Sequence, residues 1–168
     1  MNRITNDDDA NNIIDKLISL SQLKALSEDK KAILHSRIFE IPSNALTHSN
    51  SKYGIICHGY YNNKKSFTFS IYDLGIGIPQ SVRNYLKKDI DSVSALRWAL
   101  ERGNTTKVGD YPRGLGFTLL EEFREEFRGK ITLITEDVLY TVTENGVFNF
   151  TKLDKAIKGT LYTLKISV

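Results

Sequence analysis

The stretch Ser70–Pro79, which reads SIYDLGIGIP, places a carboxylate and two glycines directly after an apolar run. Asp73 ends the run, and Gly75 and Gly77 follow with one residue between them. Glycine reaches backbone conformations with positive φ at little steric cost and leaves no Cβ atom in the way of a neighbour. Three structures would use these residues: a tight turn, a dinucleotide-binding loop, or a floor beneath a purine base.

Neither of the two common phosphate-binding fingerprints accounts for the glycines. A Walker loop requires GxxxxGK followed by Ser or Thr, and the chain contains no such string. A Rossmann loop requires GxGxxG, and both candidates, Gly75–Gln80 and Gly114–Leu119, lack the third glycine. The tight turn and the purine floor therefore remain open.

A second group of polar residues occurs at helical spacing. Glu40, Asn44 and His48 lie four residues apart, so a helix places them in one stripe. The apolar residues beside this stripe would face the core, and the stripe itself either supplies a site or faces solvent. Pro42 is expected to kink the helix, because its nitrogen cannot donate to the carbonyl of Ile38.

Taken in order, four short motifs resemble those of the GHKL ATPase superfamily. They are EIPSNA from Glu40, DLGIGIP from Asp73, RGLGF from Arg113 and GTLYT from Gly159, and they extend over about residues 28–168. The superfamily groups gyrase-type ATPases, heat-shock chaperone ATPases, histidine kinases and a class of repair proteins. Its fold is an α+β two-layer sandwich of the Bergerat type, in which helices cover one face of a mixed, mostly antiparallel sheet.

The resemblance implies that the chain binds ATP. In this family the Asp before the glycines accepts a hydrogen bond from the adenine amino group, so Asp73 is the expected adenine-binding residue. Gly75 and Gly77 would let the backbone pass close beneath the base and the sugar. Thr160 matches the family's late Thr near the adenine. Among the three structures, the resemblance thus favours the purine floor.

The third motif implies where the phosphates bind. Gly114, Leu115 and Gly116 would open a helix whose backbone N–H groups hold the phosphates. Arg113 would add a positive charge beside them. The segment Gln80–Pro112, between the second and third motifs, would form a lid over the ATP.

The first motif implies a magnesium ion and a catalytic base. Asn44 matches the family's Mg²⁺ ligand, and one protein oxygen can suffice because Mg²⁺ keeps several waters and takes further oxygens from phosphates. Glu40 matches the general base, which orients a water or a hydroxyl towards the γ-phosphate.

Within the superfamily, the string EIPSNALTH from Glu40 to His48 is most similar to the anti-sigma-factor serine kinases. Histidine kinases usually carry Asn at the position of Glu40. The expected function is therefore Mg²⁺-dependent ATP binding with hydrolysis or phosphoryl transfer to a protein partner or substrate. The alternative is a nucleotide-gated interaction switch with little or no turnover.

Hydrophobic periodicity predicts the elements that must position these residues. The predicted helices are Asp7–Leu26, Ser27–Thr47, Ser81–Lys88, Ser92–Glu101 and Phe117–Phe127. The predicted strands are Tyr53–Tyr61, Ser66–Tyr72, Ile131–Thr135, Leu139–Thr143, Val147–Phe150 and Leu161–Val168. This order of elements predicts an α+β sandwich with one mixed sheet covered by helices.

The chain divides into two expected parts. Residues 1–27 form an N-terminal helix, and residues 28–168 form the ATP-binding domain. The apolar stripe that contains Ile14 and Leu17 is expected to pack either on its own domain or on a second copy or partner, so a homodimer is one expected assembly.

Composition narrows the function classes further. The 168 residues carry a net charge of +3, and their lysine pairs are scattered, which argues against a nucleic-acid-binding surface. The single Cys57 excludes an internal disulfide and a multi-cysteine metal site. No apolar run approaches the roughly 18 residues of a membrane span, so neither nucleic acid nor a membrane is an expected partner, and the cytoplasm is the expected location.

Overall fold

The computed structural model describes residues 1–20, 23, 26–48, 51–101, 103–106 and 116–167, with the backbone alone at residues 40, 42–48 and 116–121. Within these residues the fold is α+β. The helices are α1 Asp7–Ile18, α2 Glu28–His48, α3 Ile78–Leu86, α4 Ser92–Leu100 and α5 Gly116–Phe127. The strands are β1 Asn2–Ile4, β2 Gly54–Tyr61, β3 Ser66–Asp73, β4 Lys130–Val142 and β5 Phe148–Ser167.

The strands form one sheet in the order β1-β2-β3-β5-β4. All four pairings are antiparallel, so the prediction of a mixed sheet is wrong in that detail. The pairs β2–β3 and β4–β5 are hairpins, which make antiparallel neighbours by construction. Strand β5 then lies beside β3 in the opposite direction, which keeps the whole described sheet antiparallel.

Strands β4 and β5 are each longer than predicted. The predicted strand Ile131–Thr135 lies within β4, and Leu139–Thr143 does so except for its last residue. The predicted strands Val147–Phe150 and Leu161–Val168 fall largely within β5. The pairing shifts register on both sides of Glu136, which marks a β-bulge. A bulge interrupts the alternation of apolar and polar residues without ending the strand, and this interruption is why the sequence pattern indicates two strands.

One face of the sheet carries the core. Its buried side chains come from every strand and include Ile4, Ile56, Phe67, Phe69, Ile71, Leu133, Leu164 and Ile166. Helix α2 contributes Leu34, Ile38 and Ile41 to the same core, at helical spacing. The predicted α+β sandwich of helices on a sheet face is therefore confirmed at this level.

The N-terminal residues share the sheet and the core with the rest of the chain. Strand β1 pairs with β2, and Ile14 and Leu17 of α1 are 0% and 1% exposed. From the sequence, the apolar stripe of α1 is expected to pack either on its own domain or on a second copy or partner. Ile14 and Leu17 pack in the core of the chain's own domain. Helix α1 ends at Ile18 rather than Leu26. The division of the chain into an N-terminal helix, residues 1–27, and an ATP-binding domain, residues 28–168, stays a prediction.

Helix α2 is a single helix that runs past Pro42 to His48. Helix α3 begins three residues earlier than predicted, at Ile78, with Gly77 as its N-cap residue and Pro79 in its first turn. Proline is tolerated there because the first N–H groups of a helix have no intrahelical acceptor. No helix among the described residues is both long and apolar enough to cross a membrane.

Candidate functional site

Asp73 is the last residue of β3 and is 3% exposed. It lies opposite Gly54 of β2 and Thr160 of β5 in the register of the sheet. Its Oδ1 accepts a hydrogen bond of 2.9 Å from the backbone N–H of Gly75. The sheet therefore holds this carboxylate at the end of its central strand, and the following loop orients it.

Two buried threonines join the loop to the neighbouring strands. The Oγ1 of Thr135 accepts from the N–H of Ile78 at 3.1 Å and donates to the carbonyl of Gly159 at 3.1 Å. It also lies 3.2 Å from the Oγ1 of Thr160. Because Thr135 and Thr160 are 0% and 2% exposed, these bonds are made away from water. Thr135 is absent from the residues that the sequence motifs predict.

Two glycines allow this close packing. Gly159 has φ of +82°, and a Cβ atom there would lie 2.0 Å from the backbone oxygen of Asp73. Gly77 has φ of +77°, and its Cβ atom would lie 3.0 Å from the Oγ1 of Thr135. The absence of a side chain at Gly77, expected from the resemblance to make room for a ligand, is thus already required by contacts within the chain.

The bulge in β4 forms the wall next to this loop. Glu136 has φ of +48°, and its carboxylate accepts two hydrogen bonds from the guanidinium of Arg83, at 2.8 and 2.9 Å. The hydrogen bond with Glu136 is the main reason that the pKa of Arg83 lies above its usual value. Helix α3 is therefore tied to β4 beside Thr135.

A polar pocket of about 390 Å³ is lined in part by Glu136 and its neighbour Asp137. Asp137 in its lining accepts from the hydroxyl of Ser92 and pairs with Lys152 at 3.2 Å. The hydrogen bond from Ser92 lowers the pKa of Asp137 most, with a smaller lowering from Lys152. The remaining lining residues are Arg83, Asp89, Ile90 and Asp91. Within the lining, Arg83 is paired with Glu136, and Asp137 is paired with Ser92 and Lys152.

Helices α2 and α5 run antiparallel and are joined by ion pairs. Arg37 lies 2.6 Å from Glu122, and Lys30 lies 3.7 Å from Glu126. From the Arg37–Glu122 pair, Asn44 is about 10 Å further along α2. Gly116 is about 9 Å from the same pair in the same direction along α5. The C-terminal part of α2 thus lies level with the N-terminus of α5.

The connections fix which end of the sheet these helix ends approach. Strand β2 starts at Gly54, opposite Asp73, six residues after the end of α2. Strand β4 starts at Lys130, opposite Lys165 at the other end of the sheet, three residues after α5. The C-terminus of α2 and the N-terminus of α5 are therefore both at the Asp73 end of the sandwich.

Several predicted site residues lie outside the described parts of the chain. These are Arg113, Gly114 and Leu115, and also the side chains of Glu40, Asn44 and His48. Gly116 is the first residue of α5. The segment Gln80–Pro112, expected as a lid, contains most of α3 and all of α4, and both helices pack on β4.

Comparison with known proteins adds no assignment to this geometry. No protein-family model matches the chain, and no curated protein sequence is significantly similar to it.

Proposed function

We propose that the chain is a GHKL-type ATP-binding domain with a Bergerat-type sandwich. It binds ATP with Mg²⁺ and hydrolyses it or transfers its γ-phosphoryl group to a protein. One observation carries this proposal: the buried Asp73, the C-terminal part of α2 and the N-terminus of α5 all lie at one end of the sandwich. The motif resemblance assigns the adenine to Asp73, the metal and the catalytic base to α2, and the phosphates to α5.

Asp73 is suited to bind adenine. An ionised carboxylate is purely a hydrogen-bond acceptor, and the Oδ1 of Asp73 already accepts from the backbone N–H of Gly75. The adenine 6-amino group donates hydrogen bonds, whereas guanine presents a carbonyl oxygen at that position. Two facing acceptors without a proton between them leave buried polar groups unpaired, which is costly. Asp73 is therefore expected to select ATP over GTP.

The N-terminus of α5 is suited to hold phosphates. The first four N–H groups of a helix have no intrahelical acceptor, and the helix dipole favours an anion at this end. Gly116 begins α5, and the motif places Arg113, Gly114 and Leu115 directly before it. We assign the β- and γ-phosphates to this helix end.

The C-terminal part of α2 supplies the remaining groups. Asn44 would give Mg²⁺ one amide oxygen, and the ion when bound neutralises charge on the phosphate oxygens. Glu40, one turn earlier, would accept the proton of a water or a protein hydroxyl that attacks the γ-phosphorus in line with the leaving oxygen. We further propose a cytoplasmic location, a protein partner or substrate, and a homodimer as one assembly of the chain.

The proposal is tested by titrating ATP into the protein with and without Mg²⁺, alongside Asn44→Ala. The parent should bind ATP more tightly with Mg²⁺, and Asn44→Ala should lose that difference. Asn12→Ala, at an exposed position of α1, is the matched control and should behave like the parent.

A measurement of ADP release in the presence of Mg²⁺ then distinguishes an ATPase or kinase from a nucleotide-gated switch. Release of ADP, alone or with a candidate partner protein, supports an ATPase or kinase. Tight ATP binding without release supports the nucleotide-gated switch. No binding of ATP by the parent would contradict the proposal in both forms.

A further inference from the structure

The side chain of Arg83 bonds to two other segments of the chain at once, strand β4 and the turn between α3 and α4. Its two terminal nitrogens donate to the two carboxylate oxygens of Glu136, at 2.8 and 2.9 Å. Its Nε donates to the carbonyl of Ile90 at 2.8 Å, in the turn between α3 and α4. Both ion-pair partners are largely buried, with side chains 19% and 23% exposed. A planar, two-point contact of this kind fixes orientation as well as distance.

Glu136 sits at an unusual place in the backbone. Its φ of +48° is in the left-handed region, which typically costs a residue with a side chain about 1 kcal/mol or more. Such a conformation persists only where the surroundings hold it, and it occurs frequently at functional sites. The carboxylate of Glu136 is bonded at both oxygens to Arg83, a contact that can hold the residue in this conformation.

The residue before Glu136 belongs to the candidate adenine site. Thr135 binds the N–H of Ile78, which is the first residue of α3, while Arg83 lies near the other end of the same helix. Helix α3 is therefore attached to consecutive residues of β4 at two points. The loop from Asp73 to Ile78 runs between β3 and this fixed helix.

We propose that Arg83 and Glu136 are positioning residues for adenine recognition. The pair fixes the bulge in β4 and the start of α3, and through Thr135 and Ile78 it sets the position of the loop that orients the Asp73 carboxylate. Neither residue touches the nucleotide in this account. The proposal rests on the proposed function, because it assigns a role in recognition of the adenine base by the same site.

The consequence concerns base selectivity more than stability. Discrimination between adenine and guanine depends on hydrogen-bond geometry, which weakens steeply with distance and angle. Lysine cannot replace the two-point contact of arginine, because its ammonium group is a single point charge on a flexible stem. Loss of the two hydrogen bonds between Arg83 and Glu136 should therefore loosen the loop after Asp73. The preference for ATP over GTP should fall even in a protein that remains folded.

The test measures ATP and GTP affinities for the parent, Arg83→Lys and Glu136→Gln. Both variants should show an ATP-to-GTP affinity ratio about tenfold smaller than the parent. Hydrogen exchange at the amide of Ile78 should be faster in both variants, since its acceptor Thr135 is less firmly held. Arg124→Lys is the matched control, because Arg124 is 16% exposed and pairs with Glu125 on α5, and it should leave the ratio unchanged.

The possible outcomes separate this proposal from the proposed function. Folded variants with lower melting temperatures and an unchanged ATP-to-GTP ratio would show a purely structural pair and overturn the positioning role. If Arg83→Lys does not fold, Glu136→Gln decides, because it keeps the shape of the side chain. A parent that binds neither nucleotide would overturn the proposed function and this role with it.

Discussion

The two halves of the candidate site are built by different interactions. The half around Asp73 is built from strand register, buried hydrogen bonds and close backbone approach, as at Thr135 and Gly159. The half at the ends of α2 and α5 is positioned by helix packing and by ion pairs such as Arg37–Glu122, with side chains 24% and 50% exposed. The contacts of the first half are buried, whereas the ion pairs of the second are partly exposed to solvent.

This difference sets the size of the expected mutational effects. Leaving a buried hydrogen-bonding group without a partner typically costs about 1–3 kcal/mol. A partly exposed ion pair typically contributes about 0–1 kcal/mol and is weakened further by salt. Substitutions in the Asp73 half should therefore affect folding and affinity more strongly than those between the helices.

The largest effect is expected for Gly159→Ala. The new Cβ atom would lie 2.0 Å from the backbone oxygen of Asp73, at a φ of +82°, so strand β5 must move away from β3. The free energy of unfolding should fall by about 3 kcal/mol or more, as measured by urea denaturation. Gly59→Ala is the matched control, because its nearest neighbour would be 3.9 Å away. Equal stabilities of the two variants would contradict the steric account.

The next effect concerns catalysis at the helix ends. Glu40→Ala should lower ATP hydrolysis or phosphoryl transfer by about 100-fold, while ATP affinity stays within a few fold, because a general base acts in the transition state. Glu28→Ala, at the exposed start of the same helix, is the control and should turn over ATP like the parent. Undiminished turnover by Glu40→Ala would remove Glu40 from the mechanism.

A smaller effect is expected for the ion pair between the helices. Arg37→Ala should weaken Mg²⁺·ATP binding by a few fold at low salt and less at high salt, because the pair aligns α2 with α5 and is partly exposed. A double-mutant cycle with Glu122→Ala should give a coupling of about 0.5–1 kcal/mol. If Arg37→Ala lost more than tenfold in Mg²⁺·ATP affinity at every salt concentration, the pair would behave like the buried contacts around Asp73 instead.

The smallest effect is a pKa change beside Asp73. Tyr72 donates its hydroxyl proton to the carbonyl of Lys158 at 2.7 Å. Burial raises the pKa of Tyr72 above 10, and the negative charge of Asp73 raises it further. Because the folded state holds this proton more tightly than the unfolded state, the stability that it contributes is present below about pH 10 and is lost as the pH rises.

Asp73→Asn should therefore move the pKa of Tyr72 back towards its usual value, as measured by NMR titration of the tyrosine ring. Asp8→Asn, at an exposed position of α1, should leave it unchanged. An unchanged titration in Asp73→Asn would indicate that Asp73 carries no charge next to Tyr72.

The sequence predicts the regular parts of the fold because their periodicity is local. The apolar spacing in α2 and the alternation in β3 are visible in short windows, and both elements lie within a residue or two of the predicted bounds. Strand β1 has only three residues, which is too short for a pattern. The bulge in β4 places Glu136 against Arg83, which lies more than 50 positions earlier, so no local window contains this contact.

The same reasoning applies to the candidate site. Asp73 and the glycines after it are recognisable because their order and spacing are unusual. Thr135 is a single threonine within a strand, a residue type that is common there, and its role appears only when β4, β5 and the start of α3 meet. Sequence predicts residues whose type is unusual for their place, and misses those whose importance comes from long-range pairing.

Calorimetric titration of ATP and GTP into the parent and Asp73→Asn measures directly whether Asp73 recognises adenine. The parent should bind ATP more tightly than GTP. Asp73→Asn, still folded by circular dichroism, should bind ATP at least about tenfold more weakly, a difference of about 1.4 kcal/mol. Equal affinity of the parent for the two nucleotides, or unchanged ATP binding by Asp73→Asn, would contradict the account.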